Sequence, residues 1–354
     1  MNQGSHSMQP PSRKLGALAT IIGLALVFGI AIAVSPAPSE EPQRILSIGL
    51  ALATGDLGDR AFNDSAYAGL QQAQRAFGIR FRVAPWKGSS GQYQNLRELA
   101  EEQHDLIIAI GQENTDVVAH VAQEYPQQRF AIIDSAVDAP NVSSIVFRET
   151  EGDYVAGVLS ALLSPDGTVG FLGGADIPLI RRIEYSWAEG VRSVNPQAQI
   201  LSYYVAGKDD FSGFNNPDKG LLIAQEMYER GARVIYAAAG RSALGAISAA
   251  QEQKRLVITT GSDQRWIAPS VVVTSRTKNM DAAVISLIAD LRDNTLQAGV
   301  HTLDLSTNGV SLAPLDGSGL SDPVVIVPPD IRMKVRDTEQ ALIEGTLQVR
   351  EYSP

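Results

Sequence analysis

Few side chains in this sequence are of a type and spacing that could carry out covalent or metal chemistry. There is no cysteine, which excludes disulfides, thiolate metal sites, a cysteine nucleophile and a lipid-bearing N-terminal cysteine. Of the four histidines, His6 lies in the N-terminal tail, and His104, His120 and His301 stand in separate segments. None has a partner at a metal-ligand spacing such as HExxH, so neither a metal nor another cofactor is expected. The chain has no GxSxG turn to present a serine and no GxGxxG or GxxxxGK[ST] loop to cradle phosphates. The nearest glycine-rich stretches, residues 170–174 and 240–245, read as strand-to-helix turns. Carboxylates are plentiful, but no pair has a spacing that assigns one as acid and the other as base. What remains is binding chemistry. Asp134 follows the apolar run FAII directly, so its carboxylate emerges at the carboxyl end of an expected strand. A carboxylate placed there accepts from a ring N–H or amino group and rejects analogues that lack one.

The elements that must hold these groups are short apolar runs alternating with helical patterns. Strands are expected at 45–51, 79–84, 106–110, 130–133 and 144–147, with helices at 64–77, 93–103 and 115–125. The rhythm restarts with strands at 169–172, 200–204, 234–238, 256–259 and 271–275, again with helices between. Runs of four to six apolar residues without alternation suit parallel strands covered on both faces. Two such sets predict an α/β protein of two doubly wound parallel-sheet lobes. Ligands of these sheets bind beyond the carboxyl ends of the strands, so two facing lobes make a cleft.

Charge and the N-terminus set the location. The 354 residues carry 39 acids against 29 bases, a net charge of −10. Residues 1–44 contribute three of the bases and two of the acids, so the remainder is more acidic still. A surface of that sign repels a phosphate backbone, and nucleic acid is not an expected partner. Residues 15–34 (LGALATIIGLALVFGIAIAV) hold no charge and follow Arg13-Lys14. Their length matches the roughly 30 Å hydrocarbon core of a bilayer. The basic pair keeps 1–14 cytoplasmic, 15–34 reads as an uncleaved anchor or a signal peptide, and 35–44 is a Pro- and Glu-rich linker. Everything from residue 45 is then extracytoplasmic, tethered to the cell membrane, or secreted or periplasmic if the helix is cleaved.

Eight segments, in order, resemble the basic membrane protein family of extracytoplasmic solute-binding proteins, which includes purine-nucleoside receptors of ABC transporters. They are GDLGDRAFNDSAYAGL (55–70), FAIIDS (130–135), FRETEGDYVAGVLSALL (147–163), GFLGGADIPLIRRIEYSWAEGV (170–191), SGFNNPDKG (212–220), VIYAAAG (234–240), SDQ (262–264) and TSRTKN (274–279). The resemblance implies a type I periplasmic-binding architecture. Its first lobe would comprise 45–149 plus about 277–300, and its second 150–276 plus about 301–354. It implies a stacking pair for the ligand's base, Phe62 and Phe214, with Asn63 and Asp134 hydrogen-bonding that base. Asp59 belongs to the same first loop, Gly240 lets backbone approach the sugar, and Lys278 reaches the ribose hydroxyls. Gly261 stands where the family has a ribose-gripping aspartate, and Ala53 where it often has an acid. Ribose recognition is thereby weakened or passes to Asp263 or a water.

The resulting expectation is a non-enzymatic solute-binding protein that closes two lobes around a purine nucleoside or similar heterocycle and passes it to an ABC permease. A ligand-sensing regulator of the same fold and an exported nucleoside hydrolase are the alternatives.

Overall fold

The computed structural model describes residues 44–54, 57–58, 62–321 and 324–353. The expected anchor at 15–34 lies outside the described residues; among the described ones, no helix is long and apolar enough to cross a membrane. Ile45–Pro354 forms one compact unit built on two six-stranded sheets.

The first run of the chain comprises β1 (Ser47–Ala51), α1 (Phe62–Phe77), β2 (Arg80–Ala84), α2 (Gly88–Glu101), β3 (Leu106–Ile110), α3 (Thr115–Glu124), β4 (Phe130–Ile133) and β5 (Val142–Phe147). The second comprises α4 (Glu149–Leu162), β6 (Thr168–Asp176), α5 (Pro178–Val194), β7 (Gln199–Lys208), α6 (Pro217–Glu229), β8 (Val234–Ala238), α7 (Ala243–Gln253), β9 (Leu256–Gly261) and β10 (Val272–Lys278). The chain then returns through α8 (Met280–Arg292) and β11 (Gly299–Leu303) and finishes with β12 (Val310–Leu312) and α9 (Pro329–Ile343).

The first sheet has the order β11-β5-β4-β3-β1-β2 and is parallel throughout. The second has the order β12-β10-β9-β8-β6-β7, parallel except where β12 pairs antiparallel with β10. The sequence accounts for this winding. LIIAI of β3 and VIYAA of β8 are buried at every residue, which requires cover on both faces. In the first sheet α1 and α8 supply one cover and α2 and α3 the other. In the second, α4, α5 and α9 cover one face and α6 and α7 the opposite one.

The two-lobed α/β class expected from sequence is the observed one. The details differ at the margins. The strands β6, β7 and β10 run several residues beyond their apolar centres, and β11, β12 and α9 had no apolar run to announce them. The expected switch to the second lobe at about residue 301 falls inside β11, which pairs with β5 as far as Leu303. The chain passes between the sheets three times, at β5–α4, β10–α8 and β11–β12.

Candidate functional site

Beyond the carboxyl ends of the strands lies a cavity of about 220 Å³, walled by elements of both sheets. Phe62 opens α1, which packs on the first sheet, and Phe214 comes from a short 3₁₀ helix, Phe211–Asn215, between β7 and α6. Ile180 and Ile183 add an apolar stripe from α5, and Gly240 and Gly261 line the cavity just after β8 and at the end of β9. The remaining wall is charged: Glu149 begins α4, and Arg276 and Lys278 end β10.

The seat of Phe214 is made by backbone. A Cβ on Gly174 would stand 2.3 Å from the Phe214 ring. Gly240 has φ +55°, and a Cβ there would come within 3.0 Å of the Phe214 carbonyl oxygen. Glycine therefore meets two requirements at 240, a left-handed backbone and a close approach. The Ser242 hydroxyl donates to the Gly213 carbonyl at 2.7 Å and accepts from the Asn216 N–H at 2.8 Å, which fixes the segment at both ends.

The charged wall is a continuous network. Lys278 Nζ lies 2.7 Å from Asp134 Oδ1 and 2.7 Å from Glu149 Oε1. Arg276 donates from Nε to Asp153 Oδ1 at 2.8 Å, and its Nη1 is 3.5 Å from Glu149. The Tyr236 hydroxyl donates to the same Asp153 oxygen at 2.5 Å. Glu149, Asp153, Tyr236 and Arg276 are buried, whereas the Lys278 and Asp134 side chains keep 10% and 23% of their surface. Burial pushes the Glu149 carboxyl up, but the cations of Lys278 and Arg276 outweigh it and hold the group down at about 2. Asp153 goes the other way: burial prevails over Arg276 and raises its carboxyl to about 6. Its second oxygen, Oδ2, is buried without a hydrogen-bond partner. Asp134 is raised by burial and by Glu149 against the pull of Lys278. Burial lowers the Lys278 ammonium, yet Glu149 and Asp134 together keep it above its ordinary value.

Phe62, Phe214, Gly240 and Lys278 thus share one cavity. Asp134 joins them through Lys278, so two groups expected on different parts of a ligand are in contact with each other. It sits at φ +72°, a region that aspartate tolerates better than most residues. Asn63 is fully buried and does not line the cavity; its Oδ1 accepts from the Ala53 N–H at 2.9 Å, which ties the end of β1 to α1. Asp263 also lies off the cavity wall. Its carboxylate clasps the buried Arg265 guanidinium at 2.9 and 2.7 Å, and Arg265 Nη1 in turn donates to the Pro314 carbonyl. Asp59 lies outside the described residues. Gly261 has φ +104° and open space around its missing side chain, so there is room for a larger residue but backbone strain against one.

Glu149, Arg276, Ile180, Ile183, Ala238 and Thr260 are cavity residues that sequence reasoning did not nominate. A signal for Arg276 existed. Residues two apart on a strand share a face, so extending β10 to Lys278 puts Arg276 on the Lys278 side. Among the described residues, no group of three or more His, Cys, Asp or Glu side chains is arranged to hold a metal ion.

Comparison with known proteins agrees with this architecture. Residues 47–344 match the family model Bmp, described as ABC transporter substrate-binding protein PnrA-like. The chain is similar to a CD4+ T-cell-stimulating antigen of Listeria innocua, 30% identical over 88% of this chain and 90% of that protein. It is 28% identical to an uncharacterized lipoprotein of Pyrococcus abyssi over 86% of this chain and 78% of that one. Among solved structures, an ABC transporter solute-binding protein from Aeropyrum pernix K1 superposes with a TM-score of 0.74 at 22% identity, covering 87% of this chain and 94% of that one.

Proposed function

The chain belongs to the Bmp family of PnrA-like ABC transporter substrate-binding proteins, and from that premise we propose that it captures a purine nucleoside or a similar flat heterocycle outside the cytoplasm. The observation that carries this reading is the cavity that sets Phe62 and Phe214 against one network of ion pairs. Aromatic walls suit a flat ring, because stacking a base on an aromatic side chain is worth about 1–3 kcal/mol. The Lys278–Asp134 pair then offers a donor and an acceptor side by side for the polar edge of the ring or its sugar. A ligand that touches elements of both lobes stabilises the closed arrangement, and that differential contact is what selects it. In this reading the protein performs no covalent step and delivers its ligand to an ABC permease. The apolar stretch at 15–34 tethers it, in keeping with a similar protein that is named a lipoprotein although this chain has no cysteine to acylate.

The test is to denature the purified full-length protein and identify released small molecules by mass spectrometry, then titrate the emptied protein with adenosine and adenine by calorimetry. A heterocycle in the released fraction and saturable binding are expected. Binding of neither compound would remove the heterocycle assignment, and free adenine formed from adenosine would replace a receptor with a hydrolase.

A further inference from the structure

Phe211 is the feature of this cleft that the reading above leaves unused. It is 65% exposed, although it opens the same 3₁₀ helix that delivers Phe214 to the cavity. With three residues per turn, side chains three apart in such a helix eclipse one another. Phe211 and Phe214 therefore leave the backbone on one side, and their rings lie 6.3 Å apart at 37°. The exposure does not come from a frayed loop. Asp210 caps the helix by accepting from the Ser212 N–H at 3.0 Å, Gly213 is buried, and Asn216 is bonded to Ser242. A large apolar ring on an ordered turn thus stands in water next to Phe214, which lines the cavity. Next to the end of β10, where its register partner is Thr277, Gly261 lines the same cavity and offers no side chain to whatever hangs from a bound ring.

We propose that Phe211 is a ligand-contact residue, forming an outer subsite that packs on the substituent of the heterocycle rather than on the heterocycle itself. The spacing makes the distinction. A ring stacked on Phe214 leaves Phe211 to one side and inclined to it, where it meets the flank of the ligand. The subsite takes a ring-sized group with an apolar face, such as the sugar of a nucleoside, and so favours nucleosides over free bases. The inference rests on the heterocycle reading and narrows its ligand class.

The experiment compares adenosine and adenine on the full-length wild type, Phe211→Ala, Phe211→Trp and Phe214→Ala by calorimetry, with thermal melting alongside. Phe211→Ala should weaken adenosine about tenfold and adenine less than twofold; Phe211→Trp should restore adenosine binding, and melting should not change, because the ring is exposed. Unchanged adenosine affinity in Phe211→Ala while Phe214→Ala loses it would overturn the subsite and leave the heterocycle reading standing. Equal losses for adenosine and adenine would place Phe211 against the base and overturn the assignment to the substituent. A wild type that binds neither compound would take down the heterocycle reading and the subsite with it.

Discussion

The two walls of the cavity are built on different principles. The part of the aromatic wall that Phe214 supplies is a local product. Phe214 is seated by Gly174, Gly213 and Gly240, and its backbone is tied to Ser242, all within the second sheet and its loops. The ionic wall is assembled from distant parts of the chain: Lys278 meets Asp134 across 144 positions, and Arg276 meets Asp153 across 123. The first wall can lose a ring and keep its frame. The second cannot lose a charge so cheaply, because each member neutralises another that is buried. One wall is therefore predicted to set affinity alone, and the other to set affinity and stability together.

The sharpest way to break that comparison is Lys278→Met. Removing one partner of a buried pair leaves its counter-charge uncompensated, at a cost of about 3–5 kcal/mol. Here two carboxylates, Glu149 and Asp134, lose the same cation. Urea unfolding of the variant should show a loss of that size, and Lys278→Met combined with Glu149→Gln should recover part of it, since no carboxylate is then stranded at 149. A Lys278→Met protein as stable as the wild type would mean that the network carries no structural weight.

Acidity tests the same wall from inside. Asp153 titrates near 6 in the folded protein against an ordinary value of 3.8, so the fold binds that proton more tightly than the unfolded chain does. Its stabilising contribution is complete below about pH 4 and is lost as pH rises through 6, a change of about 3 kcal/mol. Glu149 has the opposite sign. Its contribution is present above its ordinary 4.5 and disappears as pH falls through about 2. Asp153→Asn should therefore flatten the decline in stability between pH 4 and 7 and leave the acid limb in place. Parallel pH profiles for the two proteins would refute the assignment to Asp153.

The same contrast explains what could be read from sequence. Central strands such as LIIAI and VIYAA show themselves because burial on both faces demands an unbroken apolar run. Strand β11 (GVHTL) is largely exposed at the edge of its sheet, and β12 has three residues, so neither carries a hydrophobic signature. Phe62, Phe214, Gly240 and Lys278, which the family resemblance brought forward, line the cavity together. Glu149 was not nominated, because its significance lies in a pairing across 127 positions that no spacing rule encodes, whereas Arg276 could have been found from its two-residue spacing to Lys278. Asn63 and Asp263 match the motif, yet the fold commits their side chains to the Ala53 N–H and to Arg265.

On the aromatic wall the expected effects are smaller and of a different kind. Phe62→Ala and Phe214→Ala should each weaken adenosine binding by about 1–3 kcal/mol, with little change in melting for Phe62. Calorimetry and thermal scans on the same preparations separate the two quantities. A variant that loses stability as much as affinity would show that its ring belongs to the core, and the proposed division between the walls would fail for that side.

The smallest effect comes from adding charge where the cavity has none. Gly261→Asp places a carboxylate in open space, so no atom has to move, but the residue sits at φ +104°, where an L side chain is strained. Leaving the right-handed region costs about 1–2 kcal/mol per residue, and unfolding measurements should register a loss within that range. Against it stands a possible gain in binding, since a hydrogen bond to a charged group contributes about 1.5–3 kcal/mol. If the new carboxylate reaches the sugar, the variant should prefer adenosine to deoxyadenosine more strongly than the wild type does, while adenine binds both alike. Gly261→Ala supplies the reference, because it carries the strain without the acceptor. If Gly261→Asp and Gly261→Ala show the same selectivity, position 261 does not face the sugar, and discrimination between nucleosides has to come from Lys278 and Asp134 on the ionic wall.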